Sequence, residues 1–114
     1  RKDIVEMLVQ NQIAFMQGPG FVMVGALLAE ERRNPELLDV FRDRVIHPRR
    51  DETLEALQRG VDRGEIRADA DLGVVVQALV GSLYARHLLG VAETPEQIEK
   101  TVDMIWKGLA IELR

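Results

Sequence analysis

The sequence predicts an all-α domain of five or six helices. Apolar residues recur at helical spacing through five segments, and glycine, proline or capping residues stand between these segments. No segment shows a convincing strand pattern. Of the 114 residues, 46% are hydrophobic and 30% are charged, a balance typical of a soluble globular protein. We therefore expect residues 1–114 to form a single helical domain with an aliphatic core.

Composition excludes several classes of function. Cysteine is absent, which excludes disulfides, thiol catalysis and cysteine-based zinc sites. The formal net charge of −4 opposes a nucleic-acid-binding surface, because binding to phosphates requires a basic field. No apolar run reaches the roughly 20 residues that span a bilayer, and no signal peptide is visible. We therefore expect a cytoplasmic protein without a membrane partner.

The first two predicted helices meet at a helix-stopping tripeptide. The first covers about residues 2–17, and Gly18-Pro19-Gly20 ends it. The second covers about residues 21–33 and is apolar on nearly all sides until its charged last turns. A helix without a polar face is typical of a protein interior, so we predict that it is the central core helix, packed between others.

The third predicted helix contains a proline near its middle. Asn34 and Pro35 provide an N-cap and a first-turn proline, and the apolar pattern then runs toward residue 63. Pro48 cannot donate to the helical ladder, which predicts a kink or a short break near Ile46 and His47. We expect either one bent helix or two abutting helices.

The fourth predicted helix covers about residues 71–89. Gly64 is suited to the left-handed end of the preceding helix, and Asp69 and Asp71 are suited to capping a new one. The valines at 74–76 are also compatible with a buried strand, but the apolar pattern continues too far for one.

The fifth predicted helix begins with a capping box at Thr94-Pro95-Glu96-Gln97. An apolar seam follows at spacings of four, three, four and four, formed by Ile98, Val102, Ile105, Leu109 and Leu113. The connections are short, so consecutive helices are expected to be antiparallel neighbours.

Several short motifs stand in one order along the chain. They are Asn34-Pro35-Glu36-Leu37, Pro48-Arg49-Arg50, the R-G-E-I-R turn at 63–67, Gly81-Ser82-Leu83-Tyr84 and Gly108-Leu109. Over roughly residues 18–109 this order resembles the regulatory domain of the tetracycline-repressor (TetR) family of bacterial transcription regulators. The resemblance implies a C-terminal domain whose last two long helices form a four-helix bundle with a second copy. The family's DNA-reading helix-turn-helix domain lies upstream and is not matched here, so we expect DNA to be bound only through that missing domain.

The last two helices carry more apolar residues than one neighbour can cover, and an open patch of that kind is unusual in a monomer. Pairing around a twofold axis would cover it. We expect a homodimer whose interface includes Val76, Leu83, Ile105, Trp106, Leu109 and Leu113. The alternative for each of these residues is the core of the single chain. Gly81, with Ala78 and Ala85 on neighbouring turns, is expected to let two helices approach closely.

Polar residues placed among apolar ones predict a pocket. Gln77 and Tyr84 share a face of the fourth helix, and Arg44 would receive an anionic group if it faces inward. A mostly apolar pocket with a few polar groups is typical of small-molecule binding. The predicted ligand-binding residues are Gln12, Phe15, Met16, Met23, Phe41, Arg44, Gln77 and Tyr84, and the predicted effector is an apolar or amphipathic small molecule. The alternative is that these side chains simply fill the core.

No catalytic or metal-binding pattern is present in the sequence. His47 and His87 are the only histidines and lack the spacing of metal ligands, and Ser82 has no glycine-flanked elbow. We therefore expect no enzyme activity, no metal and no cofactor. The predicted function is effector sensing and dimerisation in a TetR-like regulator, where a ligand alters DNA binding by the upstream domain. The alternative is a helical protein-interaction module without a small-molecule ligand, which predicts a tightly filled interior.

Overall fold

The computed structural model describes residues 2–91 and 94–111 of the chain. Within these residues the chain forms six α-helices and one π-helical turn. They are α1 (Lys2–Gln17), α2 (Pro19–Glu30), α3 (Pro35–Phe41), the π turn (Arg42–Ile46), α4 (His47–Asp62), α5 (Leu72–Leu89) and α6 (Pro95–Leu109). The same residues contain no strand, only an isolated antiparallel bridge between Ile66 and Ala110. The predicted all-α class is confirmed.

One face of α1 lies at the centre of the core. Ile4, Leu8 and Val9 on this face are buried, and α1 contacts α4, α5 and α6 as well as α2. Burial of an aliphatic side chain stabilises a fold by about 1.5–3 kcal/mol. Most of the hydrophobic stabilisation therefore comes from α1, α4, α5, α6 and the turn before α5. The other core residues are Leu57, Ile66, Val75, Val76, Leu79, Leu83, Ile98, Val102, Trp106 and Leu109.

Helices α1 and α4 approach each other closely at Gly60. A methyl group on Gly60 would lie 2.6 Å from Ile4 Cδ1 and 2.8 Å from Ile66 Cδ1. Both distances are well below the ordinary contact distance between carbon atoms. Glycine is unfavourable inside a helix, so its presence here is explained by the space that the two buried isoleucines occupy.

Local capping follows the predicted pattern at four positions. Gly64 and Gly90 adopt the left-handed conformation, with φ angles of 77° and 73°. The Asp71 carboxylate accepts the N–H three residues further on, at 3.1 Å, and the Thr94 hydroxyl does the same at 3.2 Å. These residues mark the end of α4, the start and the end of α5, and the start of α6.

At two other predicted caps the side chain makes no capping hydrogen bond. Asn34 occupies the N-cap position of α3, but its side chain makes no capping hydrogen bond. The Asp69 carboxylate accepts a hydrogen bond from Arg67 Nε at 3.1 Å instead of capping α5. Asp71 already caps α5, so the Asp69 carboxylate pairs with Arg67, two residues earlier, instead.

The turn between α4 and α5 is joined to the end of α6 by backbone hydrogen bonds. The Arg67 N–H donates to the Leu109 carbonyl at 2.9 Å, and the Ile111 N–H donates to the Glu65 carbonyl at 3.2 Å. Arg67 Nη1 also donates to the Gly108 carbonyl, at 3.2 Å. The R-G-E-I-R motif therefore ties the start of α5 to the end of α6.

A π-helical turn joins α3 to α4, where the sequence predicts a kink or a break. Pro48 has no N–H, so it cannot complete an ordinary α-helical turn with the carbonyl four residues earlier. The chain closes a wider turn instead, in which the His47 N–H donates to the Arg42 carbonyl five residues back. The two helices abut, as one of the two predicted alternatives has it.

The position of α2 corrects a prediction. The sequence predicts α2 as the central core helix, yet none of its residues is buried. It lies at the periphery against α1 and α3, and Val22 is 76% exposed. An apolar composition indicates that a helix requires a cover but does not identify the cover. Within this chain α2 is covered on one side only.

Gly60→Ala should destabilise the chain, although alanine is normally the better helix former. The added methyl must displace two buried isoleucine ends, and overpacking of this kind costs about 1–3 kcal/mol. Gly25→Ala in α2 is the matched control, since nothing lies within 4 Å of its added group. The control should stabilise the chain by up to about 1 kcal/mol. Urea unfolding measures both, and equal effects would contradict the close packing of α1 on α4.

Candidate functional site

A cavity of about 270 Å³ lies where the end of α1, the start of α2 and the α3–α4 pair meet. Its volume is just below the roughly 300–1,000 Å³ of typical small-molecule sites. Arg49 is the one charged residue in its wall, which is otherwise apolar. The walls can therefore hold a small apolar molecule. The lining residues are Phe15, Gly18, Pro19, Gly20, Met23, Phe41, Val45 and Arg49.

The structure places the predicted ligand-binding residues in different environments. Phe15, Met23 and Phe41 line the cavity. Met16 packs against the core, and Gln77 is exposed on α5. Met16 and Gln77 do not line this cavity, because helical spacing alone does not show which neighbour a given face meets, and their role in ligand binding stays a prediction.

Arg49, rather than Arg44, is the cation at the cavity. Arg44 is exposed and lies outside the cavity wall. Phe41, Val45 and Arg49 all line the cavity and follow one another at intervals of four residues, the spacing of one helix face, and Arg44 stands off this row. This spacing is visible in the sequence.

Four aromatic rings pack together beside the cavity. The rings of Phe21 and Tyr84 stack with centroids 4.8 Å apart, and Phe15 meets both edge-on at 5.8 and 6.2 Å. His87 meets Phe21 edge-on at 5.4 Å. The predicted residue Tyr84 thus lies behind the wall, in contact with Phe15, instead of in the wall itself. Burial raises the pKa of the Tyr84 hydroxyl above its ordinary value.

Gln12, also predicted to bind ligand, is a buried polar residue of the core. Its Nε2 donates to the Leu79 carbonyl of α5 at 2.6 Å. Its Oε1 is buried and has no hydrogen-bond partner among the described residues. Gln12 does not line the cavity. The structure therefore places it between α1 and α5, where its amide sets the register of the two helices.

A second cavity, of about 230 Å³, lies between the start of α1 and the end of α4. Its walls carry charges of both signs, and none of the residues predicted to bind ligand lines it. The apolar cavity is therefore the stronger candidate. The second cavity is lined by Asp3, Ile4, Met7, Ala56, Arg59 and Arg63.

The residues predicted for the dimer interface belong mostly to the core. Ile105 is half-buried against the core, and Leu113 lies outside the described residues. The remaining four are buried within the single chain, namely Val76, Leu83, Trp106 and Leu109. A side chain with so little exposed surface in one copy has little to offer a second, which favours the core alternative for these four, and their place in an interface stays a prediction. Their apolar spacing arises from contacts within the chain.

The face of α5 opposite the core is apolar and open. We call it the outer face of α5. Leu88 at one end is 85% exposed, and a methyl group added to Gly81 at its middle would meet nothing within 4 Å. On α6, Met104 is exposed as well. The outer face of α5 consists of Val74, Ala78, Gly81, Ala85 and Leu88.

Helix α5 is long and apolar enough to cross a membrane by length and composition, and it is the one such single helix among the described residues. The bent pair of α1 and α2 would pass the same test if it counted as one span. Core helices of soluble proteins also pass. Only 17% of α5 is buried inside the chain, which shows how much of this apolar helix its own domain leaves uncovered.

Tyr84 is the single tyrosine of the chain, so titration of tyrosinate absorbance reports on this group alone. We expect a midpoint above pH ~10 in the folded chain and near 10 in denaturant. Since the folded-state pKa is the higher one, the Tyr84 contribution to stability is complete below pH ~10. It falls as the pH rises through the raised pKa. A midpoint at or below 10 in the folded chain would contradict the burial of Tyr84 among the rings.

The family described as "Tetracyclin repressor-like, C-terminal domain" matches residues 1–105, which include every residue of the apolar cavity and of the outer face of α5. No curated protein and no solved structure matches the chain. The family match covers most of the 114 residues. The chain belongs to the tetracycline-repressor-like C-terminal domain family.

Proposed function

We propose that this chain is the effector-sensing and dimerisation domain of a TetR-like transcription regulator. The observation that carries this proposal is the apolar cavity between α1, α2 and the α3–α4 pair in a chain of this family. A regulatory domain requires a site for a ligand and a partner surface that responds when the ligand binds. The cavity is our candidate for the first, and the outer face of α5 is our candidate for the second.

The proposed effector is an apolar or amphipathic small molecule. Two phenylalanine rings and the flexible Met23 side chain supply apolar walls that adapt to different shapes. Pro19, Gly20 and Met23 of the cavity wall belong to α2, which has no buried residue. Segments with few buried contacts open at low free energy, so α2 can move to admit a ligand.

The proposed partner is a second copy of this chain, seated on the outer face of α5. Ala78, Gly81 and Ala85 form a stripe of small residues along this face, and large apolar side chains flank the stripe at either end. Small residues allow two helices to approach closely. A twofold axis through this face would bring α5 and α6 of both copies into a four-helix bundle. A stable interface of this kind buries about 1,600 Å² or more.

The proposed mechanism is a change of helix arrangement on ligand binding, transmitted to a helix-turn-helix domain upstream of α1. DNA would be contacted by that upstream domain and not by this chain, whose net charge is −4. A ligand shifts such an equilibrium only by its differential affinity for the two arrangements. We propose no catalytic activity and no membrane partner, and a cytoplasmic location.

The alternative function, a helical interaction module without a ligand, predicts a tightly filled interior. We favour effector sensing, which is supported by a pocket of about 270 Å³ that is open to solvent on the side of the exposed residues Pro19, Met23 and Arg49.

Gly20→Leu should abolish effector binding. A Cβ at Gly20 would contact Phe15 and Phe41 at 3.6 and 3.9 Å, which are ordinary contact distances, so the larger side chain enters the cavity without a backbone clash. Gly25→Leu is the matched control on α2, with open space around the added group. A thermal-shift screen with neutral and charged apolar compounds measures binding. Saturation at 100 times the dissociation constant should add about 2.7 kcal/mol to the stability of the wild type. Compounds that stabilise the wild type and Gly20→Leu equally would place the effector site elsewhere.

Ala85→Arg should convert a dimer to a monomer. The new charge lies at the middle of the outer face of α5, where a copy would have to desolvate it, and it leaves the core untouched. Ala29→Arg, on the open side of α2, is the control and should remain dimeric. Sedimentation velocity at several concentrations measures both. A dimer that survives Ala85→Arg and is lost in Ala29→Arg would assign the interface to α2.

A further inference from the structure

We propose that the apolar cavity takes a small, flat, apolar molecule with one negative charge, and that Arg49 binds its anionic group. This inference rests on the proposed function, since it names the ligand class of the same cavity. It also moves the anion-binding role from Arg44, where the sequence suggests it, to a residue that the structure brings to the cavity.

The charge of the cavity wall has a single sign. Among the residues that the structure describes, Arg49 is the one charged member of the wall, and no aspartate or glutamate contributes to it. A cationic ligand would therefore meet repulsion and find no counter-ion. A neutral ligand would gain no charge-assisted contact from the cation. A ligand with an anionic group at one end of an apolar body matches both the Arg49 cation and the apolar rest of the wall.

The guanidinium of Arg49 is held at the cavity without being neutralised. Its central carbon lies 5.8 Å from the ring centroid of Phe15, a cation–π distance. Among the described residues Arg49 makes no ion pair, whereas Arg42, Arg63 and Arg67 each pair with a carboxylate. The donors of the Arg49 fork are therefore available to a carboxylate in the bidentate geometry that arginine favours.

The start of α2 adds positive potential at the same cavity wall. Gly18, Pro19 and Gly20 line the cavity, and α2 begins there with no side-chain cap and no acidic residue in its first turn. The Gly18 N–H already donates to the Phe15 carbonyl at 3.2 Å and Pro19 has no N–H, so of these three residues Gly20 supplies the free N–H group that carries partial positive charge. This field supports the assignment that Arg49 makes, since it opposes a cation and favours an anion.

The shape of the wall favours a flat molecule. Phe15 and Phe41 approach the cavity from opposite elements, and the absent side chain at Gly20 leaves the space between them open. An aromatic ring system in this space stacks or meets these rings edge-on, as aromatic pairs prefer. Aromatic carboxylates therefore fit the wall better than long flexible chains do.

The test compares 2-naphthoate with 2-naphthamide, which has nearly the same shape and no charge, by isothermal titration calorimetry. We expect the wild type to bind the naphthoate at least about tenfold more tightly than the naphthamide. A hydrogen bond to a charged group contributes enough free energy for about a tenfold change in affinity or more. Arg49→Gln should remove this preference, and Arg49→Lys should keep part of it. Arg44→Gln, which makes the same charge change at an exposed residue outside the wall, should keep it all. Raising the salt concentration should reduce the preference, because the Arg49 side chain is exposed.

Three results would overturn the inference. The first is equal affinity of the wild type for the two compounds. The second is an equal loss of the preference for naphthoate in Arg49→Gln and Arg44→Gln. The third is no binding of naphthoate. Thermal melts of the two variants show whether each is folded, and both substitutions lie on the surface. If neutral compounds bind and Gly20→Leu blocks them while naphthoate shows no preference, the proposed effector site stands and the anionic class is wrong. If Gly20→Leu blocks nothing, the effector site itself is wrong.

Discussion

The seating of α1 between α4, α5 and α6 is the interaction on which the rest of the structure depends. It buries the face with Ile4 and Leu8, and it requires the close approach at Gly60, where any side chain would displace two isoleucines. The hydrogen bond from Gln12 to Leu79 sets where α1 stands along α5. Because the core contacts near Gly60 and the Gln12 hydrogen bond both fix α1, Phe15 in its last turn has one position. That place is the meeting point of the cavity and the ring cluster.

The two halves of the domain differ in how strongly they are held. The core half consists of α1, α4, α5 and α6, and the turn from α4 to α5 is bonded to the end of α6. The other half, α2 and α3, contributes only Leu38 and Phe41 to the buried residues. Opening this half exposes little additional apolar surface, so its free energy of opening is far below that of global unfolding. A cavity with one firm wall and one labile wall can admit a ligand without disturbing the core.

Local physics made much of the fold predictable from the sequence, and long-range contacts account for what was missed. Gly64, Asp71, Thr94 and Gly90 act on backbone groups within three or four residues, so their roles follow from the sequence alone.

Helix α2 shows the opposite case, since its apolar residues indicate that the helix must be covered but not which element covers it. The seam through Ile98, Val102 and Leu109 likewise left open whether its cover is a second copy or the chain itself. The true outer face of α5 has alanine and glycine at its middle, a weak signal in any hydrophobicity pattern. For the cavity, the sequence indicates Phe15, Met23 and Phe41, which line it, and it favours Arg44 because Phe41 and Val45 flank that residue, whereas the cation in the wall is Arg49.

The cavity and the outer face of α5 are connected through direct contacts. Phe15 lines the cavity and touches Tyr84, and Tyr84 belongs to the helix whose opposite side is the outer face. Under the proposed function, a ligand that moves Phe15 therefore also affects the position of α5, the helix that would meet the second copy.

A nearly complete switch between the two arrangements requires about 5.5 kcal/mol of differential affinity. Burial of apolar surface supplies only about 25 cal/mol per Å², and a cavity of about 270 Å³ limits how much surface a ligand can bury. A charge-assisted contact supplies about 1.5–3 kcal/mol from a single group. The smaller the cavity, the more the switch depends on a polar anchor, and Arg49 is the one charged residue in the wall from which such an anchor can come.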